Sequence, residues 1–103
     1  MKIYSLEDIE PGVKEEKPQK VLYEGDNFTT RIIKLDSEGK IPDCDMSASV
    51  IFNIISGSVE IKVNGKTSKL NAGECLITEP ATVSMKSEPG AKIMGIQIEK
   101  SNK

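Results

Sequence analysis

A length of 103 residues suits a single domain with a modest core. The 14 basic and 16 acidic residues leave a formal charge of −2, and the basic ones form no block, which argues against a nucleic-acid surface. No apolar run approaches the roughly 20 residues needed to span a bilayer, the N-terminus lacks a signal-peptide core, and Cys44 and Cys75 make no disulfide framework, so a cytoplasmic protein with free thiols and no membrane partner is expected.

The first segment, residues 1–20, is expected to be irregular. Leu6 to Glu10 reads as a turn or one helical turn that stops at Pro11-Gly12. Short β-like runs then alternate with turn signals. They cover Gln19 to Tyr23, Phe28 to Leu35, Met46 to Ile55, Ser58 to Val63, Lys66 to Leu70, Cys75 to Thr78, Thr82 to Lys86 and Lys92 to Ile98. Turns are expected at Glu24-Gly25-Asp26-Asn27, Asp36 to Lys40, Asn71 to Glu74 and Glu88-Pro89-Gly90. Asn64-Gly65 is the strongest hairpin signal, because a type I′ turn needs positive φ at both central residues. Short strands at this spacing predict an all-β sandwich or barrel over residues 21–99, with a frayed tail at 100–103.

Alternation adds facing. Val59, Ile61 and Val63 alternate with Glu60, Lys62 and Asn64, which predicts one buried and one wet face. Val50 to Ile55 is apolar apart from Asn53 and reads as a strand covered on both sides. Val50, Phe52 and Ile54 would face inward, leaving Ile51 and Ile55 on an outer face. A homodimer would cover that face, as would the N-terminal segment with Ile3, Tyr4, Leu6, Val21 and Leu22.

The stretch from Gly39 to Ile98 resembles a cupin, a small jelly-roll β-barrel whose members usually hold a metal with histidines. Two motifs carry the resemblance. The first ends in Phe52-Asn53-Ile54-Ile55-Ser56-Gly57, followed by Ser58-Val59-Glu60. Anchored on Gly57, it places Val50 at the glutamate position, with Cys44 and Met46, or alternatively Asp43 and Asp45, at the His-x-His positions. The first register is preferred, since 44, 46 and 50 would share one face of an unbroken strand, whereas the second needs a bulge. The second motif fits Gly73 and Pro80, with Thr82, Met85 and Pro89 at the positions of its second glycine, its histidine and its asparagine. The chain contains no histidine. All four ligand positions therefore depart from the pattern.

Cys44, Met46, Val50, Phe52 and Met85, with Arg31, are the candidate lining of a ligand pocket. Two thioethers and a thiol would suit a soft ion such as Cu(I), but they equally serve as apolar packing, and the packing reading is preferred. Asp43 and Asp45 with Glu74 or Glu79 offer oxygen ligands for a divalent cation. Against this, Asp is a common turn residue. Arg31, the only arginine, would clamp a carboxylate or phosphate or simply pair across the sheet. Without histidine, Ser-His-Asp and Cys-His nucleophiles are excluded. The sequence thus favours a metal-free, cofactor-free module that binds a small molecule or senses and interacts as a dimer. The competing reading is a metal-dependent enzyme of isomerase, dioxygenase or decarboxylase type with non-histidine ligands. A third is a filled, purely structural barrel.

Overall fold

A computed structural model describes residues 1–9 and 19–99. The expected stop at Pro11-Gly12 and the expected frayed tail at 100–103 lie outside them. Eight strands follow one another: β1 (Gln19–Glu24), β2 (Phe28–Leu35), β3 (Gly39–Asp45), β4 (Ser49–Val63), β5 (Lys66–Asn71), β6 (Cys75–Thr78), β7 (Thr82–Ser87) and β8 (Ala91–Ile98). No helix occurs among the described residues. Near the N-terminus, Asp8 N donates to Ser5 O at 3.1 Å and closes a turn.

All pairings are antiparallel and fall into two sheets. The first runs β1-β2-β8-β4-β6 and the second β3-β7-β4-β5. Strand β4 belongs to both. Its first half pairs with β8 and β6, and its second half with β5 and β7. The bend comes at Gly57, where φ is +78° and a Cβ would stand 2.1 Å from Gly90 O. Only glycine fits that approach. The result is the all-β, cupin-type jelly roll expected from the sequence.

The core lies between the sheets. Val50, Phe52, Ile54, Val59 and Ile61 are buried on β4, with Ile33 and Leu35 on β2 and Ile93 on β8. Val63 is half-buried and packs against them. Strands β4 and β7 present alternate side chains to this core, as the period-two pattern requires. Asn64 and Gly65 both have positive φ (50° and 88°), as expected of the β4–β5 hairpin.

Three sequence expectations need correction. Gly39–Asp45 forms strand β3, where a turn and an unassigned stretch were expected; among the described residues it is an edge strand paired with β7. The strand expected from Met46 begins at Ser49, because residues 46–48 make the turn out of β3. Positions 44, 46 and 50 therefore do not share one unbroken strand. Ser58–Val63 is not separate but continues β4 through the bend.

Candidate functional site

A cavity of about 130 Å³ opens between the sheets. Arg31, Cys44, Met46, Val50, Phe52 and Met85 all line it. Ile33, Ile41, Val83, Gly95 and Gln97 complete the wall. The exposed Cys44 stands where the cavity meets solvent.

Several strands converge to build this wall. On β2, Arg31 and Ile33 share the inward face with buried Thr29 and Leu35. On β8, Ile93, Gly95 and Gln97 alternate inward. Gly95 stands opposite Phe52, and a Cβ there would lie 3.4 Å from the ring. Without a side chain, Gly95 adds no bulk to the stretch of cavity wall that it lines. On β3, Ile41 pairs with Met85 and Cys44 with Val83. Three steps on β3 thus oppose two on β7, a bulge at Pro42-Asp43. The bulge turns both Ile41 and Cys44 inward, although they are an odd number of residues apart. Pro42 is tolerated there because an edge strand at a bulge has no ladder bond to lose.

The acidic residues sit elsewhere. Asp43 lines a shallow groove on the outside of the second sheet, beside Lys40 and Lys62. Asp45 Oδ1 accepts a 2.6 Å hydrogen bond from Thr82 Oγ1. Glu74 Oε1 accepts from Asn71 N at 2.7 Å in the β5–β6 turn, and Glu79 is exposed at the end of β6. Of the two motif registers, Cys44 and Met46 face the cavity, while Asp43 and Asp45 do not. Among the described residues no group of three or more His, Cys, Asp or Glu comes together to hold a metal. The oxygen-ligand set Asp43, Asp45 and Glu74 is not assembled.

The metal implied by the resemblance does not fit this wall. Val50 has no donor atom, the carboxylates are outside, and what remains is the Cys44 thiol, the thioethers of Met46 and Met85 and a Gln97 amide oxygen already engaged by Arg31. The polar groups that do face the cavity are Arg31 and Gln97. Arg31 Nη1 donates to Gln97 Oε1 at 2.8 Å. Sequence reasoning missed Gln97. Its signal was present: alternation along Ile93, Gly95 and Gln97 carries a polar amide onto an otherwise apolar face.

The opposite side of the first sheet is also apolar. Ile77, Ile51 and Ile96 form one cross-strand row, with Ile77 70% exposed. The N-terminal segment covers a neighbouring part of this face. Lys92 Nζ donates to Leu6 O at 3.2 Å and Glu7 O at 2.9 Å, and the Tyr4 hydroxyl donates to Leu22 O at 2.9 Å. Ile32, which shares this outer face with Met94, is fully buried.

No protein-family model matches the sequence. No curated protein matches it either. Solved structures do match by shape. A conserved protein of unknown function from Streptococcus pyogenes aligns with a TM-score of 0.82 at 13% identity, covering 98% of this chain and 90% of that one. The cupin domain of Cnp3 from Schizosaccharomyces pombe aligns with a TM-score of 0.82 at 16% identity, covering 94% and 73%. A salicylate 1,2-dioxygenase from Pseudaminobacter salicylatoxidans aligns with a TM-score of 0.67 at 16% identity, covering 70% of this chain and 21% of that one. At these identities the likeness shows the fold. It spans an enzyme and a protein of unknown function, so it assigns no activity.

Proposed function

We propose that this protein is a metal-free, non-catalytic binding module that takes a small molecule into the barrel, as a sensing or interaction component. One observation carries the reading. The cavity between the sheets is walled by aliphatic, aromatic and sulfur side chains, with Arg31 and Gln97 as its polar features. A mostly apolar concavity with a few convergent polar groups is the usual form of a small-molecule site. The wall offers no set of oxygen and nitrogen ligands, which argues against the metal-dependent enzyme.

Two measurements test this. Elemental analysis of protein purified without chelators is expected to find far less than one equivalent of Fe, Mn, Ni, Cu or Zn; a full equivalent bound in the barrel would sink the metal-free reading. Thermal melting in EDTA with benzene-sized apolar molecules is expected to raise the midpoint by several degrees. Ligand at a hundred times Kd stabilises by about 2.7 kcal/mol. In a domain this size each kcal/mol moves the midpoint by about 4–8 °C. An unmoved midpoint across such a panel contradicts the binding role.

We further propose that the Ile51, Ile77 and Ile96 row pairs with the same row of a second copy across a two-fold axis, giving a homodimer. A cytoplasmic setting agrees with two free cysteines.

A further inference from the structure

The cavity wall carries a single charge, that of Arg31. No Asp or Glu lines the cavity, and Arg31 makes no ion pair among the described residues. Its partner there is the neutral Gln97 amide. A guanidinium has five N–H donors in a planar fork, and this bond uses one. Gln97 therefore tethers Arg31 without neutralising it. A half-buried cation against apolar walls is unfavourable unless a counter-charge reaches it.

We propose that the cavity selects small organic monocarboxylates, the carboxylate lying on the Arg31 fork and the apolar body against Ile33, Phe52 and Val83. This rests on the binding role proposed above. The guanidinium fork matches a carboxylate through two parallel hydrogen bonds. Size restricts the body. An apolar cavity of about 150 Å³ accepts one benzene ring, so a cavity of about 130 Å³ seats roughly one ring or a short branched chain between the sheets. Charge restricts the head. One unpaired cation balances a monoanion, whereas a phosphate monoester brings about 1.5 to 2 negative charges near neutral pH.

The test is a calorimetric titration of the whole protein with benzoate, benzamide, toluene and inorganic phosphate, with alkylation of the two cysteines as a second readout. Benzoate is expected to bind about ten- to a hundredfold more tightly than benzamide, the range of a hydrogen bond to a charged group. It should also slow alkylation of Cys44 at the cavity mouth but not of Cys75 on the outer face. Gln97→Glu supplies Arg31 with an internal anion of almost unchanged shape, so the benzoate-to-benzamide ratio should fall toward one. Arg31→Lys keeps the charge but loses the fork, and the ratio should fall part of the way. Equal affinity for benzoate and benzamide in the native protein, or phosphate binding as tightly as benzoate, overturns the carboxylate selectivity while leaving the binding role intact. Failure of all the organic probes at millimolar concentration overturns both.

Discussion

Phe52 has two roles, because its buried side chain belongs to the core and also lines the cavity. Phe52→Ala should cost about 3–5 kcal/mol in urea unfolding, the range for large-to-small core changes. A near-native midpoint would show that the side chain does not point inward. Gly57 answers to a different constraint. With φ at +78° and Gly90 O at 2.1 Å from a would-be Cβ, Gly57→Ala combines about 1–3 kcal/mol of backbone strain with a steric clash. Chemical unfolding should show a loss at least that large. Unchanged stability would mean that β4 does not bend there.

Among the strands, β3 was the least legible in the sequence. Gly39-Lys40-Ile41-Pro42-Asp43-Cys44-Asp45 has the composition of a turn, and it becomes a strand only because β7 offers it an edge. That tertiary pairing cannot be read from local propensity. The same gap hid why Cys44 faces inward, since the bulge at Pro42-Asp43 has no signature in alternation. By contrast, β2 and β6 match their expected bounds, and the Asn64-Gly65 hairpin was set by its turn chemistry alone. The cavity wall is assembled from separate elements, with Cys44 from β3, Met46 from the turn and Val50 from β4. Arg31 and Gln97 show the other limit. Their strands were readable; their mutual hydrogen bond depends on the β2–β8 register. The N-terminal segment gives a further prediction at this scale. The Lys92 ammonium anchors it through Leu6 O and Glu7 O, so Lys92→Met should hasten proteolysis within residues 1–9 at native conditions. An unchanged cleavage rate would show that other contacts hold the segment.

For the whole molecule, the two faces of the first sheet make separate claims. The outer face predicts a dimer. Light scattering at micromolar concentration should give twice the 11.2 kDa chain mass, and Ile51→Lys should return it to the monomer or prevent folding. A monomeric mass independent of concentration would mean that the N-terminal segment is cover enough. The inner face carries the central claim, that a small molecule enters the barrel without a metal. The chain's four methionines, Met1, Met46, Met85 and Met94, report on it directly. Met46 and Met85 line the cavity, while Met1 and Met94 lie at a groove on the outside. With methyl-¹³C methionine in chelator-treated protein, titration of benzoate or toluene should shift the Met46 and Met85 methyl resonances and leave those of Met1 and Met94 in place. No shift at millimolar ligand, or shifts confined to Met1 and Met94, would contradict the account.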